Sequence, residues 1–443
     1  MKLRLSYFGW MVTRHLVERG QLRMGISPLN DLLLDLWTGT LVNVRQNEVT
    51  QQLLADGLVE VVDAGASQAQ TLLRYQRNPF EHLTKIIYEY TTLCNYDCAH
   101  CYNTRVPRQT EAQPELLAQA AETFLQMGIR RFDFVGGEVS RYGNGWLDLV
   151  RDIRAKGDDI IISLFTNGWW LEKKQFQAAG RQYADGWEYL ADLKANGVSH
   201  VAFSLDGPDT LHDHSRKQPG LHQRIMAGLR QVRQAGLEAR VSLLIRPEWS
   251  NDLVVEFLAE PASIIYDLPP DMEANERALH LSLDPTDTMS NFIDIGNGAG
   301  DETLQIPFLD GNHDNLYCRQ FFRLSPSLTI KANGELATCR LSSVGEGYGN
   351  LHDRRSVDIL NHFDDTFIYQ LHAERRLNEY LPLVDRTLFG EAFSHICTLR
   401  SIVTLLACKM HEEGVDFVDS ESVARINRQV ALLTGHIPRE KTR

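Results

Sequence analysis

The sequence predicts an α/β protein centred on a partial barrel of six parallel strands. Three observations carry that expectation. Short apolar runs alternate with amphipathic stretches from about residue 86 to residue 285, several of those stretches stop at glycine, and the rhythm is absent on either side. The expected strands are residues 86–90, 131–135, 160–165, 200–205, 239–245 and 278–283. The expected helices are residues 114–127, 146–155, 186–195, 221–235 and 251–259. Gly128, Gly157, Gly197 and Gly236 stand where such helices end. Strands alternating with helices pair in parallel through right-handed crossovers. Six strands fall short of the closed eight-stranded barrel.

The 443 residues carry 45 Lys+Arg against 58 Asp+Glu, a formal net charge of −13. At about 150 residues per domain, that length accommodates about two or three domains. Hydrophobic residues make up 43% and charged residues 23%, a globular balance that excludes a largely disordered chain. An acidic surplus leaves nothing to neutralise phosphates generally, so nucleic acid is not an expected partner. No run approaches the roughly 18 apolar residues of a membrane span. The most apolar late segment, residues 396–410, is interrupted by Arg400 and Lys409. At the start, Lys2 and Arg4 are followed by Arg14 and His15 before an apolar core can build, unlike a signal peptide. The chain is expected to be cytoplasmic, with no membrane partner.

Residues 1–84 do not share the central rhythm. Around Gly57 a helix end turns into the run Leu58-Val59-Glu60-Val61-Val62, which predicts a small α+β domain of winged-helix type. Residues 85–290 form the expected core. Residues 291–315, rich in Asn, Asp and Gly, read as a linker. Residues 316–443 form an expected C-terminal domain.

Seven cysteines lie at 94, 98, 101, 318, 339, 397 and 408. In a chain without an export signal they are not expected to form disulfides. Cys94, Cys98 and Cys101 share one loop directly after the first strand. Ligands in parallel α/β folds gather at the carboxyl ends of strands. Iron–sulfur clusters are held by thiolates at spacings of this kind, and three ligands leave one iron of a four-iron cube open. Zinc is the competing reading, with His100 as a fourth ligand.

The Cys-x3-Cys-x2-Cys loop resembles the signature of the radical S-adenosylmethionine (SAM) superfamily. Three further stretches resemble that family at successive strand ends. Gly136-Gly137-Glu138 is similar to its GGE motif, although the family's usual proline is Val139 here. Thr166-Asn167-Gly168 is similar to its TNG element. Ser204-Leu205-Asp206-Gly207, followed by His212-Asp213-His214-Ser215-Arg216, is similar to its SLDG and HDxxR pair. The resemblance implies a [4Fe–4S] cluster on Cys94, Cys98 and Cys101, with SAM on the open iron. It implies that Gly136, Gly137 and Glu138 meet the SAM amino group, Ser204 the ribose side and Arg216 the carboxylate. Asn167 and Asp206 belong to the same cofactor-binding set, and Tyr102 is expected to shape the adenine pocket. Taken singly each stretch has a plainer reading: Gly-Gly and Asp-Gly as turns, Arg216 as a solvated charge.

Among the late cysteines, two strand-like runs flank Asn333-Gly334, a hairpin signal. With Gly349-Asn350 beyond Cys339, this resembles the auxiliary-cluster domains called SPASM and Twitch. The resemblance implies a second [4Fe–4S] cluster on Cys318, Cys339, Cys397 and Cys408. A structural zinc or a buried core cysteine are the alternatives.

With all seven thiols as ligands, none is left to donate hydrogen to a substrate radical, which favours net oxidation over epimerisation. Placement of residues 1–84 ahead of the core is similar to the precursor-recognition domain of enzymes that modify ribosomally made peptides, a domain that binds the leader peptide by strand addition. A peptide is therefore the expected substrate, changed by cross-linking or dehydrogenation. The alternatives are a peptide epimerase and a sugar or aminoglycoside dehydrogenase or epimerase. A flavodoxin- or ferredoxin-type protein is the expected reductant. Trp169, Trp170, His212 and His214 read more simply as packing or surface residues.

Overall fold

The structure, a computed structural model, describes residues 1–98, 101, 110–245, 249–283, 288–291, 327–338, 345, 347–374, 376–389 and 396–434. In the N-terminal part, β1 (Lys2–Leu5) pairs antiparallel with β2 (Val42–Asn43) on one side and β3 (Val59–Val62) on the other. Helices Tyr7–Glu18, Pro28–Gly39, Glu48–Ala55 and Gln68–Gln76 surround this sheet. Each opens on a polar cap, Ser6, Ser27, Asn47 or Ser67, whose side chain accepts a backbone N–H of the first turn. Leu3, Leu5, Leu33, Leu36, Leu53 and Val59 bury together beneath it.

The central sheet contains β4 (Lys85–Thr91), β5 (Arg131–Gly136) and β6 (Ile161–Thr166). After a separate hairpin of β7 (Lys174–Ala178) and β8 (Arg181–Asp185) come β9 (His200–Leu205), β10 (Glu238–Ile245) and β11 (Thr288–Asn291). Their order is β11-β10-β9-β6-β5-β4, every neighbour parallel. This is the partial barrel that the alternating pattern predicts. Tyr88, Phe132, Phe134 and Trp146 form one aromatic layer between the strands and their covering helices. The alternate positions of the strands turn toward the barrel interior.

The sheet does not stop at β4. β12 (Ser327–Ile330) pairs parallel to it, and β13 (Glu335–Ala337) and β14 (Gly349–Asn350) follow antiparallel. The hairpin turns at Asn333-Gly334, where the Asn350 side-chain amide donates to the Asn333 carbonyl over 3.0 Å. The sheet thus runs unbroken across the boundary expected near residue 316. Helices Ile396–Glu413 and Ser420–Thr434 build a second apolar core with Leu377, Tyr380 and Phe389.

Residues 278–283 are not the sixth strand. They end the helix Ala274–Leu283, and the strand that completes the barrel is β11. Leucines at 279, 281 and 283 alternate as in a strand, but the packed positions are Ala278 and Leu281, with Leu279 55% exposed. That spacing is one face of a helix. The helix expected at 251–259 runs on to Tyr266 with Pro261 inside it. Tertiary contacts hold it: Phe257, Leu258, Ala262 and Ile264 are all buried.

Candidate active site

The cysteine loop leaves β4 and returns beside it. The Thr92 amide donates to the Thr110 carbonyl over 2.9 Å and the Ala112 amide to the Tyr90 carbonyl over 2.8 Å. These bonds close the base of the loop, so its thiols start from a fixed point. Gly136 and Gly137 lie against the same backbone. The Gly137 amide donates to the Thr91 carbonyl (2.6 Å) and the Glu138 amide to the Leu93 carbonyl (2.7 Å). A Cβ on Gly137 would stand 2.0 Å from the Leu93 oxygen, and one on Gly136, at φ +141°, 2.3 Å from the Thr91 oxygen. Only glycine allows the second strand end to approach the loop this closely.

Glu138 is buried, at 1% exposure. Its Oε1 accepts from Ser140 Oγ and from Thr166 Oγ1 (2.7 Å), and its Oε2 accepts from the Asn167 amide (2.7 Å). Burial raises its pKa, and the three donors and Arg216 oppose that rise. The network extends both ways. Trp169 Nε1 donates to Ser140 Oγ (2.8 Å), while Asn167 Nδ2 donates to Asn95 Oδ1 (3.1 Å) and reaches Cys94 Sγ at 3.8 Å. Ends of β5 and β6 are thereby joined to the cysteine loop. Ser140 and Trp169 are parts of the site that the motifs do not contain.

Asp206 and Arg216 form a two-pronged ion pair: Nε donates to Oδ2, and Nη2 donates to Oδ1 over 2.8 Å. Burial works against the Arg216 charge, but Asp206 and the thiols of Cys98 and Cys94 outweigh it and raise its pKa. His212 is fully buried. Burial lowers its pKa to about 4, and its Nδ1 accepts the Asp206 amide over 3.0 Å. It therefore acts as a neutral prop for the Asp206 turn, with its proton on Nε2. Asp213 accepts from the Gly220 and His222 amides and holds the start of the next helix. Trp169 and Trp170 are buried, the latter against Tyr189 and Phe203. Ser204 is the next-to-last residue of β9, in register with Ser242 of β10.

The donor set fits the cluster and SAM that the resemblance implies. Cys101 acts electrostatically on both Cys94 and Cys98, and Cys94 on Cys98, beside the Arg216 cation. Burial pushes Cys98 up to about 12 and Cys94 up to about 11, so these thiols take a metal only by losing a proton. Glu138 receives three hydrogen bonds where a carboxylate offers about four lone pairs, which leaves room for an ammonium. Among the described residues, no three His, Cys, Asp or Glu side chains are grouped to hold a single metal ion. Tyr102 and His100 lie outside the described residues, as do Cys318 and Cys339.

Cys397 and Cys408 both belong to the helix Ile396–Glu413, 11 positions apart. Cys408 is buried within the main apolar core.

The radical SAM superfamily profile matches residues 88–258. Over 166 residues, 36% of this chain, the sequence is 28% identical to the AdoMet-dependent heme synthase of Nitratidesulfovibrio vulgaris, spanning 40% of that protein. It is 24% identical over 291 residues to the GTP 3′,8-cyclase 2 of Pseudomonas aeruginosa, with 59% of this chain and 81% of that one covered. The chain spans about two fifths of the length of the heme synthases it matches. Among solved structures it is similar to Streptococcus suis SuiB bound to S-adenosylmethionine. The identity is 12%, the TM-score 0.47, and the coverage 82% of this chain and 83% of that one. No helix among the described residues is long and apolar enough to cross a membrane.

Proposed function

We propose that this chain, a radical SAM enzyme through its residues 88–258, takes a ribosomally made precursor peptide as its substrate. A bound [4Fe–4S] cluster with SAM supplies the hydrogen-abstracting radical of this superfamily. The protein's own residues do the placing. Cys94, Cys98 and Cys101 offer three thiols from a loop closed at its base, Glu138 offers a buried carboxylate to the SAM ammonium, and Gly136-Gly137 keep the two within reach of each other. Arg216, held by Asp206, keeps a positive charge beside the thiols.

The observation that supports a peptide is the open side of β3. Among the described residues β3 pairs with β1 alone, and Val61 on it is 57% exposed. Leu72 and Leu73, on the helix that follows, are exposed as well. An extended segment can add to such an edge through main-chain hydrogen bonds and gain specificity from apolar side chains beside it. In this reading residues 1–84 are a recognition unit of winged-helix form, the enzyme works in the cytoplasm, and a flavodoxin- or ferredoxin-type protein reduces it.

With Cys318 and Cys339 outside the described residues, the thiol count does not choose between oxidation and epimerisation. The product does. A cross-link or dehydrogenation removes two hydrogens, whereas epimerisation keeps the mass and brings in solvent deuterium. The test is to incubate the full reconstituted enzyme with short peptides encoded beside its gene. Processing that is lost in Val61→Asp, with SAM cleavage unchanged, supports the reading. Equal processing by Val61→Asp, or no binding of any such peptide, overturns it. The heme synthase and GTP cyclases among the relatives favour a second reading, a small-molecule substrate, which predicts turnover indifferent to Val61.

A further inference from the structure

Arg141 and Lys173 stand at the rim of the barrel, and we propose that they hold an oxyanion of the substrate, a carboxylate or a phosphate, beside the ring of Trp169. Arg141 lies on the short helix Val139–Tyr142 that leaves the carboxyl end of β5, and Trp169 and Lys173 lie in the turn that leaves the carboxyl end of β6. In a parallel sheet this is the side on which ligands bind. The Arg141 guanidinium carbon is 4.8 Å from the Trp169 ring centroid, and Lys173 Nζ is 5.2 Å from it. The two charges are therefore at most about 10 Å apart, about one Debye length at 0.1 M salt. Arg141 also lies over the Tyr142 ring at 5.3 Å.

The pair has no anion of its own. Arg4, Arg74, Arg131 and Arg216 are each largely buried, and each meets a carboxylate. Arg141 is half-buried, yet among the described residues neither its guanidinium nor the Lys173 ammonium meets a carboxylate or a hydrogen-bond acceptor, and the neighbouring Glu172 pairs with neither. A ring attracts a cation through its face and leaves the N–H donors to water or to a ligand. A guanidinium presents those donors as a fork that matches the oxygens of a carboxylate or phosphate. The platform itself is fixed, which lowers the ordering cost of binding. Trp169 Nε1 donates to Ser140 Oγ over 2.8 Å, and its ring meets Phe176 edge-on at 5.4 Å. Ser140 in turn donates to Glu138, so the ring is linked by two hydrogen bonds to the carboxylate assigned to the SAM ammonium. A chain of net charge −13 repels a substrate anion at large, and a local pair of cations draws it to one place. Under the peptide reading above, on which this identification rests, the oxyanion is an Asp or Glu side chain of the precursor. Under the small-molecule reading it is a carboxylate or phosphate of the substrate itself.

The test uses the full reconstituted protein labelled with fluorotryptophan. Fluorine NMR resolves its seven tryptophans, and the signal lost in Trp169→Phe is that of Trp169. Three probes are titrated: the amidated peptide acetyl-Glu-Gly-Glu, its neutral counterpart acetyl-Gln-Gly-Gln, and pyrophosphate. The Trp169 signal is expected to shift with an anionic probe and to ignore the glutamine peptide. Half-saturation is expected to need about tenfold more probe in Arg141→Gln or Lys173→Gln, with Arg141→Lys, which keeps the charge and loses the fork, in between. Tighter binding of the glutamate peptide assigns the site to an acidic peptide, and tighter binding of pyrophosphate assigns it to a phosphate-bearing small molecule. No Trp169 shift with either anion overturns the proposal. So do equal titrations in Arg141→Gln and Lys173→Gln, with iron content and thermal unfolding as in the wild type. If peptides are processed in a Val61-dependent way while the probes ignore Arg141, the peptide reading stands and this one falls. Probe binding that depends on Arg141 in an enzyme that processes no peptide is the reverse case.

Discussion

Asn167 turns its side-chain amide toward the thiol of Cys94, with Nδ2 3.8 Å from Sγ. The contact joins the end of β6 to the cysteine loop, and it has an electrochemical consequence. A hydrogen bond to a ligating sulfur stabilises the more negative, reduced state of a cluster. A bond of about 1 kcal/mol corresponds to about 40 mV for one electron. Asn167→Leu is expected to lower the potential of the cluster on this loop by that order, as read by an anaerobic redox titration followed by electron paramagnetic resonance. An unchanged potential would refute the contact's role.

Glu138→Gln removes the buried charge while keeping the shape. One carboxylate oxygen becomes an amide that faces the Asn167 or Ser140 donors, so the three-donor arrangement cannot be kept whole. A charge-assisted bond is worth about 1.5–3 kcal/mol, and SAM affinity is expected to fall by about ten- to a hundredfold. Equilibrium dialysis with labelled SAM reads this directly, and iron content should stay at the wild-type level.

Gly137→Ala addresses the loop rather than the ligand. Its Cβ would press on the Leu93 and Thr92 backbone, with Leu93 O at 2.0 Å, and backbone cannot swing aside as a side chain can. The cysteine loop is expected to shift and iron incorporation to drop by more than half, while the circular dichroism of the helices is kept. Normal iron content in this variant would show that the close approach is not needed for loading.

Acid should destabilise the fold through two histidines. Burial holds His212 near pKa about 4 and His372, with Arg400 adding to the effect, near about 3. Both lie below the unfolded value of about 6.5, so the native state keeps the rings neutral and the unfolded chain takes up protons first. Their contribution is fully present above about pH 6.5 and is lost as the pH falls toward 4, by up to about 1.4 kcal/mol per pH unit for each histidine. Urea midpoints at pH 7.5, 6 and 5 measure the slope. His372→Gln should flatten it, and a stability flat over that range would contradict the neutral assignment.

Much of the barrel was legible because its strands are short β-rich runs bounded by amphipathic helices. Five of the six strands start within one residue of their expected positions, from Lys85 through Glu238. The sixth was misplaced because alternation and helical spacing coincide over a few residues, and only packing around Ala278 and Leu281 separates them. The hairpin Lys174–Asp185 went unread since its two-residue turn is Ala179-Gly180, a weaker signal than the Asn-Gly that marked residues 333–334. At the site, the motif residues from the ends of β4, β5 and β6 do come together. Ser140 escaped notice because a hydroxyl two positions past Glu138 acquires meaning only once the carboxylate is seen to be buried, and Trp169, read as packing, also donates to that hydroxyl. The late cysteines were legible only as a count: one helix carries Cys397 and Cys408, and Cys318 and Cys339 lie outside the described residues.

The N-terminal sheet is clasped by a segment from the far side of the chain. Asn361 Oδ1 accepts the Phe8 amide and its Nδ2 donates to the Gly57 carbonyl, while Asp364 accepts from both Tyr7 Oη and Arg74 Nη1. Arg74 also lies 3.6 Å from Glu60 on the open strand β3. In modular terms, residues 1–84 are not a cassette. Grafted alone onto another enzyme they would carry Tyr7 and Arg74 without the carboxylate that holds them, so an engineer swapping specificities would have to move the segment around residues 361–364 along with the sheet.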